Sequence, residues 1–257
     1  EPDGTFPNHH PDPTVKDNLI DLISLMKTGE YDVGIAFDGD ADRIGVVDDR
    51  GEILWADELM SIFLPDIIKE GEDILFDVKC SQALDDMVRH FGGNPIMWKT
   101  GHSLIKQKMA ELDCKFGGEM SGHIFFADDY FGYDDALYVA ARLLELLSKT
   151  DKKLSELRSV IPVYYSTPEM RMEAKNDEEK FTITKKAIDY FTNNYDCITV
   201  DGVRIQFGDG WGLVRSSNTQ PVIVCRFEAN SVERKNEIMN LVLTKLKEFG
   251  DLELGGH

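Results

Sequence analysis

Cysteine is scarce in this 257-residue chain: Cys80, Cys114, Cys197 and Cys225 are the whole complement, and no two form a C-x-x-C pair. That argues against a zinc site and a dense disulfide framework, and reduced cytosolic thiols are the expectation. Long apolar runs are missing too, since none approaches the ~18 residues a bilayer span requires. Positive charge is short: Lys and Arg number 28 against 47 Asp and Glu, a net charge of −19. A chain this acidic repels nucleic-acid phosphates and anionic membranes on average, so neither is an expected partner. An anion that binds must be gripped by a local basic pocket or by a metal. The opening Glu1-Pro2-Asp3-Gly4 has neither a basic nor an apolar segment, and no signal peptide is expected there. With no initiating methionine and a loop-like start, the chain reads as a fragment. It shows no internal repeat and no low-complexity tract.

What remains is an ordinary globular composition, 42% apolar and 29% charged, with length for about two domains on the usual size prior. Thr14 and Asp17 resemble a capping box ahead of a helix with Leu19, Ile20, Leu22, Ile23 and Met26 on one side, stopped near Gly29. Tyr31 to Phe37 reads as a buried strand and Ile44 to Val47 as a second. Strands at Ile74–Val78 and Ile96–Trp98 alternate with helices at Ser81–Phe91 and His102–Leu112. A further helix over Asp134–Leu147 is expected to turn Leu137, Ala140, Ala141, Leu144 and Leu147 inward. Such alternation predicts βαβ units in an α/β domain. Beyond Pro162, strands at Val163–Tyr165, Ile198–Val200, Val203–Phe207, Gly212–Arg215 and Val222–Glu228 interleave with helices at 177–193 and 231–248, which predicts a smaller α+β domain.

Three segments carry chemistry. Asp38-Gly39-Asp40-Ala41-Asp42-Arg43 ends a strand with carboxylates at alternate positions, a set that can converge on one Mg²⁺. Arg43 would hold an anion beside the cation, a combination suited to a phosphoryl group. The alternative is an acidic surface turn; an EF-hand loop is a poor match, with Arg43 and Asp49 where glycine and glutamate belong. Gly117-Gly118-Glu119-Met120-Ser121-Gly122-His123 lies between two strands. There Glu119 could accept from adjacent sugar hydroxyls, Ser121 could add a hydrogen bond, and His123 could titrate near neutral pH. Its alternative is an ordinary glycine-rich turn. Arg215-Ser216-Ser217-Asn218-Thr219-Gln220-Pro221 follows a strand and could form an anion nest with a guanidinium fork, or simply a polar hairpin; Arg226 could return to the same pocket. Lesser signals are Lys79 at a strand end, His102 at a helix N-terminus, and the His9-His10 pair.

In this order and spacing the segments resemble the α-D-phosphohexomutase superfamily, most closely its bacterial phosphomannomutase/phosphoglucomutase branch. Asp38 to Arg43 looks like the family's metal loop, usually DGDGDR, with Ala41 as a departure. Gly118 to His123 looks like its sugar-specificity loop, Arg215 to Thr219 like the phosphate loop of its last domain, and the stretch from Pro2 to Pro11 like a loop of its second. The resemblance implies mutase-type βαβ domains with a mixed sheet: residues 1–53 as the C-terminal half of domain two, 54–162 as domain three and 163–257 as domain four. It implies a cytoplasmic isomerase that interconverts 1- and 6-phosphates of mannose or glucose through a hexose 1,6-bisphosphate. Asp38, Asp40 and Asp42 would hold Mg²⁺. Glu119 and Ser121 would bind the sugar hydroxyls. Arg215, Ser217, Asn218 and Thr219 would grip the non-reacting phosphate. Lys79 and His102 would touch the sugar phosphate, and His123 would act as acid or base. The family's phosphorylated serine lies in a T-A-S-H-N-type loop, and these residues contain none, so the chain is expected to be inactive alone. Met120 in the specificity loop favours mannose and glucose over glucosamine phosphate by family pattern. The rivals are a sugar-phosphate-binding module without turnover, a phosphoglucosamine mutase, and an aspartyl-phosphate phosphatase using Asp38.

Overall fold

The strand-forming run Val33–Phe37 is followed after a six-residue turn by Ile44–Asp48, and the two pair as an antiparallel hairpin, Val33 opposite Asp48 and Phe37 opposite Ile44. The computed structural model describes residues 3–217 and 220–255. They fall into two compact units, 1–162 and 163–257.

The first unit opens with a 3-10 turn and then α1 (Ile20–Met26), which packs on the sheet β1 (Val33–Phe37), β2 (Ile44–Asp48) and β3 (Ile53–Leu54). Leu19, Met26, Val47 and Ile53 fill the space between them. Thr14 does not cap this helix. Its N–H and hydroxyl both go to the Asp12 carboxylate, at 2.9 and 2.7 Å, and α1 begins only at Ile20. An aspartate two residues upstream competes for the cap and builds a tight turn instead.

Next come α2 (Ala56–Ile67), β4 (Asp73–Asp77), α3 (Gln82–His90), β5 (Asn94–Trp98), α4 (His102–Leu112), β6 (Phe116–Gly118), β7 (Ile124–Phe126), α5 (Ala136–Ser148) and the short α6 (Leu154–Arg158). Strand order is β5-β4-β6-β7, with β4 parallel to β5 and β6 and β7 antiparallel to β6, so the sheet is mixed and joined by βαβ crossovers. Ser81 caps α3 by accepting from the Ala83 N–H at 3.1 Å. Phe63 of α2 meets Phe116 and Phe126 edge-on, at ring centroid distances of 6.1 and 5.2 Å. This aromatic cluster anchors the two strands that carry the Glu119 turn.

Periodicity alone does not mark α2. Nearly every side chain along it is buried, so it shows no polar stripe, and Pro65 lies within it. On α5 the expected inner face is one step out of phase. Ala136, Val139, Ala140 and Leu143 are buried, whereas Leu137 and Leu144 are half exposed. Leucines stand on both faces, so hydrophobicity alone does not fix the rotation.

Arg142 of α5 pairs with Asp128 through two hydrogen bonds of 3.1 and 3.0 Å and lies 4.5 Å from the Phe126 ring centroid. Burial pushes the Asp128 carboxyl up, but the hydrogen bond and charge of Arg142 overcome it and hold the group below its usual range. A depressed folded value means the pair stabilises fully above the unfolded carboxyl value of about 3.9, and the contribution drains away as pH falls through the lower folded value. Solvent screens this exposed carboxylate, so Asp128→Asn should cost at most about 1 kcal/mol near neutral pH. In denaturant titrations the difference from the parent should shrink below about pH 4. An undiminished difference in strong acid would contradict the assignment.

The second unit is an antiparallel sheet ordered β10-β11-β12-β13-β9-β14, with β8 also on β13. Its strands are β8 (Tyr165–Ser166), β9 (Met170–Glu173), β10 (Asp196–Ile198), β11 (Val203–Gln206), β12 (Gly210–Ser216), β13 (Val222–Ala229) and β14 (Glu253–Leu254). The helices α7 (Asp177–Asn194) and α8 (Val232–Phe249) carry Asn176 and Ser231 as side-chain N-caps. Ile238, Val242 and Leu246 of α8 recur at four-residue spacing and are fully buried in the same core cluster as Ile223, Cys225 and Phe227. Val163, read as strand, stands outside β8 and is 77% exposed. The unit is α+β, as its alternation of strands with two helices predicts.

Candidate functional site

The β1–β2 turn is built around Asp38, whose side chain is almost fully buried. One of its oxygens accepts the N–H groups of Asp42 and Arg43, both at 3.1 Å. The other accepts from Arg43 Nε at 2.7 Å, and Arg43 also reaches Asp12 at 3.2 Å. Burial pushes the Asp38 carboxyl up, but Arg43 overcomes this and holds it low. Ala41 takes a left-handed φ of 59° at the tip, costing roughly 1 kcal/mol where glycine would be at ease.

One carboxylate oxygen each from Asp38, Asp40 and Asp42 lies within 4.8 Å of the others. Burial raises the Asp42 carboxyl; nearby His123 opposes this, and Asp38 and Asp40 add to it. A dication placed among these converging oxygens would relieve the repulsion on Asp42, and this all-oxygen set fits Mg²⁺.

The β6–β7 turn closes on itself, with Glu119 N–H donating to the His123 carbonyl at 2.8 Å and Gly122 N–H to the Glu119 carbonyl at 3.1 Å. Gly122 adopts φ 99°, and a Cβ there would stand 2.8 Å from the Ile44 carbonyl oxygen. That close approach joins the two turns, because the Ile44 N–H donates to the Gly122 carbonyl at 3.1 Å. A third segment is tied in by the Ala136 N–H, which donates to the Ala41 carbonyl at 3.0 Å.

Glu119 is 2% exposed. Its carboxylate accepts from the Gly101 N–H, pairs with His123 Nδ1 at 3.2 Å and stands 3.4 Å from the Ser121 hydroxyl. Burial raises Glu119, but the His123 hydrogen bond, the Gly101 N–H and the charge of Lys79 bring it below its usual range. His123 is shifted the other way. Burial lowers it, and the hydrogen bond and charge of Glu119, with Asp42 and Asp134, lift it above the ordinary imidazole value. His123 Nε2 lies 3.4 Å from Asp42. The His102 ring, at the start of α4, stacks on His123 with centroids 5.3 Å apart.

Lys79 is nearly buried, with Nζ 3.7 Å from Asp77. Asp77 is wholly enclosed and accepts from the Thr100 hydroxyl at 3.1 Å and the Met120 N–H at 3.4 Å. Burial, reinforced by Glu119, raises its carboxyl against the pull of Lys79.

The first unit thus gathers Asp38, Asp40, Asp42, Arg43, Lys79, His102, Glu119, Ser121 and His123 on neighbouring turns. Arg215 and Ser217 belong to the second unit. Arg215 is buried on β12 and pairs with Asp201 at 2.9 Å. The Ser217 N–H donates to the Val222 carbonyl at 2.9 Å. Asn218 and Thr219 lie outside the described residues. Arg226 faces Trp211, its guanidinium 5.9 Å from the ring centroid. His9 and His10 belong to neither potential metal-ligand group among the described residues.

Sequence reasoning missed several supports. Buried Lys180 donates to the Ser217 and Gln220 carbonyls, both at 3.0 Å, and so clamps the loop between β12 and β13. Asp12 seats Arg43, Asp77 faces Lys79, and Asp134 bridges His102 and Lys106. Asp134 reads in the sequence only as a helix start, and nothing in the local pattern of Lys180 separates it from a solvated lysine.

Known proteins bear on this arrangement. Models described as the alpha/beta/alpha domains II and III of phosphoglucomutase/phosphomannomutase match residues 1–51 and 55–164, and that of the C-terminal domain matches 165–245. The chain belongs to the phosphoglucomutase/phosphomannomutase family. It is 46% identical over 249 residues to the phosphomannomutase/phosphoglucomutase of Pseudomonas aeruginosa, covering 96% of this chain and 54% of that protein. It therefore spans about half the length of the curated relatives it matches. A crystal structure of a family protein from Burkholderia thailandensis superposes with a TM-score of 0.85 at 41% identity, over 97% of this chain and 54% of that one. The Aspergillus fumigatus N-acetylphosphoglucosamine mutase, solved with GlcNAc-6P and magnesium, shares the fold at 15% identity and a TM-score of 0.63, over 84% of this chain and 49% of that one. In the family's division, the three-aspartate turn lies within the domain II match, the Glu119 turn within domain III and Arg215 within the C-terminal domain.

Proposed function

We propose that the chain supplies the metal turn and the sugar- and phosphate-binding loops of a phosphohexomutase, which interconverts the 1- and 6-phosphates of mannose or glucose through a hexose 1,6-bisphosphate. The observation that carries this reading is the hydrogen bond from Ile44 to Gly122, which sets three converging carboxylates beside a buried glutamate able to accept from sugar hydroxyls. When bound, Mg²⁺ supplies charge stabilisation for a transferring phosphoryl group.

The protein's own groups divide the remaining work. Asp38, Asp40 and Asp42 hold the cation, and Arg43 keeps Asp38 ionised while facing the same anion. Glu119 has about four lone-pair sites, and its bonds to Gly101 and His123 leave about two for sugar hydroxyls once Ser121 turns from its 3.4 Å contact to the ligand. Lys79 and His102 contact the sugar phosphate. His123, between Glu119 and Asp42, exchanges the hydroxyl proton. In the second unit Arg215, Ser217, Asn218 and Thr219 grip the phosphate that does not react. The protein acts in the cytoplasm. An aspartyl-phosphate route through Asp38 is disfavoured, because that class carries a D-x-D-x-[TV] pattern and Asp42 stands here where Thr or Val belongs.

Calorimetry with glucose 1,6-bisphosphate tests the shared site. Metal and sugar phosphate should be coupled, so Mg²⁺ should tighten the bisphosphate by roughly tenfold over a chelated sample. Asp40→Asn, an exposed substitution, should remove most of that gain. Equal affinity with and without Mg²⁺ in the parent chain would refute the reading.

A further inference from the structure

A second ligand set overlaps the magnesium turn without coinciding with it. Asp42, His102, His123 and Asp134 each place one ligand atom within 4.8 Å of the other three. They come from four separate segments: the β1–β2 turn, the start of α4, the β6–β7 turn and the stretch leading into α5. We infer that these four residues form a site for a borderline divalent transition metal, of the class of Zn²⁺ and Co²⁺.

The donor chemistry separates this set from the three aspartates. Imidazole nitrogen favours zinc, cobalt and nickel, whereas Mg²⁺ takes oxygen and keeps its waters. Two neutral imidazoles and two carboxylates neutralise a dication and complete a tetrahedron. The surrounding bonds orient the ligands as metal sites require. His123 Nδ1 is engaged by Ser121 Oγ at 2.8 Å and Glu119 at 3.2 Å, which leaves Nε2 facing Asp42 at 3.4 Å. A carboxylate behind a ligating histidine fixes its tautomer and raises its basicity. Asp134 is steadied by Lys106 at 2.8 Å, and its other oxygen meets His102 Nδ1 at 2.8 Å. The His102 side chain is 50% exposed, which gives an ion a way in.

The thiolate zinc sites disfavoured by the cysteine spacing are a different chemistry, and this set needs no sulfur. It stands apart from the mutase reading, since it rests only on the four side chains. Asp42 nevertheless belongs to both sets. A transition metal seated here withdraws that carboxylate from the magnesium turn, which makes the site inhibitory to any Mg²⁺-dependent step.

Co²⁺ serves as the optical probe, because four-coordinate Co²⁺ with nitrogen ligands absorbs strongly in the visible and six-coordinate Co²⁺ with oxygen ligands only faintly. Titrating the intact chain near neutral pH should give the four-coordinate spectrum at one ion per chain. His102→Ala, with thermal unfolding unchanged, should weaken Co²⁺ by at least roughly tenfold and abolish the strong bands. Asp134→Asn should act in the same direction. Asp40→Asn should leave the spectrum intact, and excess Mg²⁺ should raise the apparent Co²⁺ dissociation constant of the parent chain. A faint six-coordinate spectrum lost in Asp40→Asn but kept in His102→Ala would place the ion on the aspartate turn and overturn the site. Absence of binding up to millimolar Co²⁺ would overturn it as well. Co²⁺ affinity indifferent to Mg²⁺ would overturn the shared-ligand role of Asp42.

Discussion

The 257-residue chain, incubated with mannose 1-phosphate, Mg²⁺ and hexose 1,6-bisphosphate, should form mannose 6-phosphate at least ~10⁴-fold more slowly than the Pseudomonas aeruginosa relative assayed beside it. Phosphoryl transfer gains most of its rate from holding donor and acceptor in line, a contribution of about 7–11 kcal/mol when both are fixed. Under the proposed mechanism the carrier is a phosphorylated serine in a T-A-S-H-N-type loop, and these residues contain no such sequence. In that mechanism Glu119, Ser121 and the carboxylate turn hold the sugar phosphate and the cation, and none of them relays a phosphate from one hydroxyl to another. Water remains a possible acceptor, so slow release of inorganic phosphate from the bisphosphate is compatible with the mechanism. Turnover within roughly tenfold of the relative would contradict it.

Much of this was legible in the sequence, for reasons that can be traced. The helices expected at 177–193 and 231–248 form at Asp177–Asn194 and Val232–Phe249, because each has a polar cap and one clean apolar stripe. The helix expected at His102–Leu112 forms over those same residues. Elements without contrast stayed hidden. The buried run of α2 offers no period, and the short strands β9 and β14 are too brief to show one. The capping reading of Thr14 failed because Asp12 offered a nearer acceptor.

At the candidate site, spacing in the chain identified each turn by itself. The three aspartates and the glycine-flanked Glu119 stood out because metal and hydroxyl chemistry demand those residue types close together. Spacing could not place the two turns side by side. Ile44 and Gly122 are far apart in sequence, and their hydrogen bond exists only once β2 and the β6–β7 turn have packed. Supporting residues were illegible for the same reason. Asp77, Asp134 and Lys180 act through partners 23 or more residues away: Thr100, His102 and Ser217.

Calorimetry on Glu119→Ala, with mannose 1-phosphate and inorganic phosphate as paired ligands, measures sugar-hydroxyl recognition at this turn most directly. A buried carboxylate that accepts from two hydroxyls contributes about 3 kcal/mol when both bonds are lost, so the sugar phosphate should weaken by roughly a hundredfold or more. Inorganic phosphate has no sugar hydroxyls to offer, and a carboxylate repels it, so its affinity should hold or improve. Glu119→Gln keeps the side chain's size and one acceptor oxygen, and should fall between parent and Glu119→Ala for the sugar phosphate while leaving inorganic phosphate alone. That divergence is the expected result; equal losses for the two ligands would contradict a hydroxyl-binding Glu119 and the hexose phosphate reading built on it.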